Sequence, residues 1–248
     1  MTSQTVVFIT GVRQGIGHGL LQAYLARPNH TVIGSVRNPD TNPALQALPT
    51  APGTSLMLVS IDNSSTEDPA TALRDLRAAG VDHIDLFIAN AGGSPPVAPL
   101  DSVSTADLIS AFQVNAASAV LFFQTFQPLL HAAKQPKWVA ISSEAASVAQ
   151  MEALRTHFLP AYGASKAALN WFVQAMHCTQ PWLIAVAVQP GHTQTVPGNW
   201  AAQLLGLEQA PVTLAESVSG VMRLVDNATR ETVSGKFIDV ISGNEIPR

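Results

Sequence analysis

Two side chains able to share a proton stand four apart in "YGASK", namely Tyr162 and Lys166. On a helix that spacing stacks both on one face. Free tyrosine titrates near pH ~10, too high for easy proton transfer at neutral pH. A cation one turn away favours the phenolate and brings that value down. The pair points to acid–base work, with Tyr162 moving a proton and Lys166 tuning it.

A second group can hold a phosphate. "TGVRQGIG" (10–17) puts Gly11, Gly15 and Gly17 around Arg13, Gln14 and Ile16, between a strand-like and a helix-like stretch. Glycines there let the backbone turn tightly and approach a pyrophosphate at a helix N-terminus. The next strand ends "SVRNP", with Arg37 and no acid before Asp40. An acid there would bind ribose hydroxyls, whereas arginine accommodates a 2′-phosphate. Arg37 and Arg13 therefore favour NADP(H) over NAD(H).

These groups need a frame. Apolar, β-branched stretches at 5–10, 31–36, 55–61, 83–90, 137–143, 182–189 and 236–241 read as strands. Helical patterns at 15–26, 66–80, 104–132, 161–178 and 214–227 alternate with them. Continuous apolar strands alternating with helices imply an α/β domain: a parallel sheet of about seven strands, covered on both faces. Neither a repeat nor a linker divides residues 1–248, so one domain is expected. The irregular segments 91–103, 144–160 and 190–212 each follow a strand, where such sheets bind ligands.

Composition narrows the function classes. The chain has 248 residues, 47% hydrophobic and 12% charged, with a net charge of −4. That supplies a large core and excludes a disordered chain or a basic nucleic-acid binder. Cys178 is the sole cysteine and the seven histidines show no ligand spacing, so neither a disulfide nor a metal site is expected. The opening "MTSQTVVFITG" lacks a basic segment and a long apolar run, so a signal peptide is not expected. With no stretch read as long enough to span a membrane, the expectation is a cytoplasmic protein.

Taken in order, the motifs resemble the short-chain dehydrogenases/reductases over nearly the whole chain. "TGVRQGIG" is similar to that family's cofactor loop, and Asp62, followed by Asn63, to its adenine-binding acid. Asn90, Ala91 and Gly92 match its NAG motif. Asn115, Ser143, Tyr162 and Lys166 match its catalytic tetrad. "PGHTQT" resembles the segment that holds the nicotinamide carboxamide, here Pro190, Gly191, Thr193 and Thr195. The resemblance implies a Rossmann-type doubly wound fold and hydride transfer between a nicotinamide and a carbonyl or alcohol. It also implies Ser143 on the carbonyl oxygen, Lys166 on the nicotinamide ribose, and a water held by Asn115. Homodimers or homotetramers built on the two long helices are usual in the family. "VRNP" and "YGASKAALN" look most like its carbonyl-reductase branch, which includes fungal ketoreductases of aromatic polyketide pathways.

Two departures stand out. Gln14 occupies the position where members with a basic glycine loop often carry the cation. Ser143 precedes Tyr162 by nineteen positions, longer than usual, which leaves Ser142 and Ser147 as other candidates for the serine. Apolar residues near the site, Met151, Leu154, Phe158 and Leu159, then Trp200, Leu204, Leu205 and Leu207, suit a bulky hydrophobic carbonyl substrate. "NWAAQLLGL" could equally be a lid helix packed on the body. His192 is placed on the substrate side. An NAD-linked secondary-alcohol dehydrogenase is the alternative that Arg37 opposes. A non-redox or regulatory protein is the alternative that the retained Tyr/Lys pair opposes.

Overall fold

The structure, a computed structural model, describes residues 4–248. Residues 1–3, part of the opening read as lacking a signal peptide, lie outside it.

Strand β1 (Thr5–Ile9) leads through the glycine turn into α1 (Gly15–Leu25). Then come β2 (His30–Val36), the short α2 (Pro43–Gln46), β3 (Ser55–Ser60), α3 (Asp68–Ala78) and β4 (Leu86–Ala89). The second half runs α4 (Thr105–Phe112), α5 (Ser118–Ala132), β5 (Lys137–Ile141), α6 (Pro160–Thr179) and β6 (Ile184–Gln189). It closes with α7 (Val196–Leu204), α8 (Leu214–Asn227), α9 (Arg230–Val233) and β7 (Phe237–Asp239).

One parallel sheet forms in the order β3-β2-β1-β4-β5-β6-β7, the seven strands expected. The order reverses between β1 and β4, which opens a crevice at the carboxyl ends of those strands. Alternation along each strand divides the core in two. Phe8, Phe87 and Trp138 occupy matched positions on neighbouring β1, β4 and β5. Their rings stack at 4.7 and 4.4 Å and meet Phe122 and Phe126 of α5. On the opposite face Val7, Ile9, Val139 and Val186 pack under Leu20 and Leu21 of α1 and Val221 of α8. α8 starts at a capping box. Thr213 Oγ1 accepts from the Glu216 N–H at 3.2 Å, and the Thr213 N–H donates to Glu216 Oε2 at 2.9 Å.

Most element ends shift by a few residues from the sequence expectation, as fraying ends do. Two differences are larger. Helix α7 lies inside 190–212. Its start is set by Thr195, whose Oγ1 accepts from the Gly198 N–H at 3.1 Å, with a proline in the first turn. The expectation that no stretch is long enough to span a membrane is also corrected. α4 and α5 join through a π-helical turn, Gln113–Ala117, into one helix of 28 residues that holds an 18-residue stretch of mean hydropathy 1.4. That hydropathy has a local cause: Ala119, Phe122, Phe126 and Leu129 are buried in the core beside the sheet.

Candidate active site

The glycine turn is built against the end of β4. The Thr10 hydroxyl oxygen accepts from the Asn90 and Ala91 N–H groups, both at 2.9 Å. Asn90 Nδ2 donates to the Thr10 and Gly11 carbonyls at 2.8 and 3.2 Å. The approach leaves no room for side chains. A Cβ on Gly17 would stand 2.4 Å from both Asn90 Nδ2 and the Gly11 oxygen. Gly11 adds a φ of +73°, a region that L side chains rarely adopt. The Asn90 amide is thus engaged in holding the turn. Arg13 and Gln14 are exposed on the turn, and Ile16 is half-buried.

Other expected cofactor residues gather along the same edge. Arg37 is exposed just past β2, and among the described residues its guanidinium makes no hydrogen bond. Asp62 Oδ1 accepts from the Ser64 N–H at 2.8 Å and its hydroxyl at 2.6 Å. Those bonds hold the Asp62 carboxyl below its ordinary range, with Arg37 adding a small pull the same way. Asn63 leans toward Ser118 at 3.4 Å. Beyond β6, Gly191 has φ +88° and Thr193 Oγ1 donates to the Gly191 carbonyl at 3.0 Å. A Cβ on Gly15 would stand 3.5 Å from Thr195 Cγ2, so the start of α7 faces the glycine turn.

The four expected catalytic residues converge from three segments, Tyr162 and Lys166 sharing α6. Asn115 lies in the π-helical turn and is buried. Its Oδ1 accepts from the Gly93 N–H at 2.9 Å, and its Nδ2 donates to the Gly93 carbonyl at 2.7 Å and to Ser165 Oγ at 2.9 Å. Gly92 sits close by: a Cβ there would be 2.8 Å from Asn115 Oδ1 and 3.3 Å from Lys166 Nζ. Lys166 is 4% exposed, and Nζ donates to the Ile141 carbonyl at 2.8 Å. Burial pulls its ammonium down to about 8.

Tyr162 is half-buried, with Lys166 Nζ 5.8 Å from its ring centre. The expected lowering of its pKa by that lysine is corrected. Burial raises the phenol above its ordinary value, and the counter-pull comes from the Ser143 side chain. The ammonium is directed at Ile141, and in the interior the loss of water outweighs an attraction across that distance.

Of the three serines, Ser147 is fully buried and its hydroxyl donates to the Pro247 carbonyl. Ser142 is buried with an unpartnered hydroxyl. Ser143 is half-buried beside Tyr162 and caps the turn Glu144–Ala146, accepting from the Ala145 N–H at 3.2 Å.

A cleft opens next to Tyr162, lined by Pro95, Pro96, Val97, Val103, Leu159 and Tyr162. Leu159 was among the residues singled out from sequence. Met151, Phe158, His192, Trp200 and Leu204 are not among those lining it. His192 Nε2 pairs with the Gly198 carbonyl at 2.8 Å, while Met151, Trp200 and Leu204 are exposed. The proline wall was missed, although "SPPVAP" directly after the NAG motif was its visible trace. Gln189 was missed too: its Oε1 accepts from the Glu144 N–H at 2.9 Å.

A glycine turn at the switch point of a doubly wound sheet, with a Tyr/Lys pair across the crevice, defines a nucleotide-binding α/β domain with acid–base equipment. The short chain dehydrogenase profile matches residues 5–201. The short-chain dehydrogenase srdF of Neurospora crassa is 45% identical, covering 100% of this chain and 99% of that protein. This chain belongs to the short-chain dehydrogenases. The norsolorinic acid ketoreductase stcE of Emericella nidulans is 38% identical, over 98% of this chain and 94% of that one. The NADPH-bound carbonyl reductase from chicken fatty liver shares the fold, with TM-score 0.85 at 23% identity, covering 100% and 96% of the two chains.

Proposed function

We propose that the chain is an NADPH-dependent carbonyl reductase acting on a bulky hydrophobic ketone or aldehyde of aromatic or polyketide type. One observation carries the reading. Lys166 is a buried ammonium with three donors and one protein acceptor, placed below Tyr162 and beside the glycine-bounded crevice. Ribose hydroxyls would satisfy its remaining donors, and the exposed Arg37 fits a 2′-phosphate. Gly11, Gly15 and Gly17 would lie along the pyrophosphate, Asp62 near the adenine, and Pro190 to Thr195 near the carboxamide.

A reduced nicotinamide supplies hydride to the carbonyl carbon when bound there. Tyr162 gives its proton to the carbonyl oxygen. A phenol raised by burial keeps that proton at neutral pH and yields it only to the far more basic alkoxide, which suits reduction. Ser143 hydrogen-bonds the same oxygen as charge develops. Asn115 fixes Gly93 and Ser165, keeping the floor under Lys166 in place. Apolar Pro95, Pro96 and Val97 offer a flat wall for an aromatic ring. The norsolorinic acid ketoreductases among the relatives support that substrate class.

The same reading includes a cytoplasmic homodimer or homotetramer. Ile109 and Phe112 of α4 and Trp171 of α6 are exposed, and Phe112 and Trp171 both touch Phe172. A monomer by light scattering at micromolar concentration would remove this part.

Titration with NADPH and NADH, read by nicotinamide fluorescence, tests the cofactor. Tighter NADPH binding and reduction of bulky aromatic ketones are expected. Tighter NADH binding would turn the reading to an NAD-linked alcohol dehydrogenase. Binding of neither would end the redox reading.

A further inference from the structure

We propose that residues 246–248 brace the turn carrying Ser143, and that Ser147 is the positioning residue through which the brace acts. This deepens the reductase reading by assigning work to the lengthened stretch between Ser143 and Tyr162.

The brace has an anchored end and a gripping end. Ile246 is buried in the aromatic half of the core, and its N–H donates to the Phe237 carbonyl of β7 at 2.7 Å. The Arg248 guanidinium reaches the Gly235 carbonyl just before the same strand. From that base, the Pro247 carbonyl takes the Ser147 hydroxyl, and the Arg248 carbonyl takes the Ala149 N–H at 3.2 Å. Ser147 Oγ also accepts from the Gln150 N–H at 3.2 Å.

The gripped turn is the one that Ser143 caps. The Ala146 N–H donates to the Ser143 carbonyl at 2.9 Å, and the Ser147 N–H to the Glu144 carbonyl at 3.0 Å. On its other side the turn abuts α6. A Cβ on Gly163, next to Tyr162, would lie 2.9 Å from the Ala145 oxygen. The turn is therefore held between Gly163 and the brace. Beyond it Val148, Met151 and Arg155 are exposed, so that part of the loop gives little support. Losing the Ser147 bond frees the turn to move, and Ser143 moves with it relative to Tyr162. Reacting groups displaced by about 1 Å lose up to about a hundredfold in rate.

Three variants test this: Ser147→Ala, removal of Pro247 and Arg248, and both together. Each single change should lower kcat about tenfold and leave the NADPH dissociation constant unchanged, because the glycine turn is untouched. The combined variant should be no slower than the truncation alone, since the truncation already removes the carbonyl that takes the Ser147 hydroxyl. Trypsin should cut faster after Arg155 in all three. Unchanged kcat in the single variants, multiplying losses in the double, or weakened NADPH binding in step with kcat would overturn the proposal. Cleavage after Arg155 separates the two readings. Protection lost in the variants of a chain that reduces no ketone keeps the brace and removes the reductase. Protection unchanged in all three removes the brace.

Discussion

The two sides of the crevice are built by opposite means. On the cofactor side, strand ends β1 and β4 are bonded through Thr10 and Asn90, and close approach excludes side chains at Gly11 and Gly17. On the side of Tyr162 the cleft wall is a proline-rich segment, while Met151, Trp200 and Leu204 are exposed and do not line it. One side is fixed by backbone geometry. The other is shaped by side chains that can change without disturbing the sheet. The difference teaches where to look for conserved chemistry and where for selectivity.

The largest expected effect tests the line between the two sides. Tyr162→Phe removes the proposed proton donor and should reduce carbonyl reduction by roughly 10³-fold while NADPH still binds. Activity surviving intact would mean that proton transfer runs through another group.

Next comes the buried ammonium. Lys166 titrates at about 8 in the fold against 10.5 as a free side chain. Below pH 8 both states hold its proton, and above 10.5 neither does. Between those values the unfolded chain binds more protons, so stability from this group rises with pH, by on the order of 3 kcal/mol. Thermal unfolding from pH 7 to 10.5 should show wild type gaining on Lys166→Met. A constant gap between the two would contradict the burial.

Gly17→Ala probes the rigid side. Its methyl would meet Asn90 and the Gly11 carbonyl at 2.4 Å, so the turn must open. NADPH affinity should fall about a hundredfold, on the order of 3 kcal/mol, as measured by fluorescence titration. Normal affinity would show that the turn is adaptable, and the contrast between the sides would fail.

The smallest effect belongs to the adaptable side. Pro96→Ala should raise KM for an aromatic ketone by about threefold to tenfold, with kcat and NADPH binding little changed, as loss of one apolar contact implies. A change in cofactor affinity instead would place that loop with the other side.

The same contrast explains what could be read in advance. Buried strands, the glycine turn and the Tyr/Lys spacing are local patterns with a fixed period, and the sheet of seven strands follows from them. The proline wall has no period. α7 was blurred by Pro197 and Gly198 in its first turn, although Thr195 marks its start. The partner that occupies the Ser147 hydroxyl is Pro247, a hundred positions away. The direction of the Tyr162 shift depends on burial and on where Lys166 points, neither of which a spacing of four contains.

The π-helical turn at Gln113–Ala117 has a consequence for how this gene can change. Such a turn equals one residue inserted into a regular helix, which rotates everything on one side of it by about 100° relative to the other. Loss of a single codon there would not shorten the helix in any important way. It would turn Ile109 and Phe112 against the face set by Phe122 and Phe126, and carry Asn115 away from Gly93. Length at this point matters to the site as much as residue type.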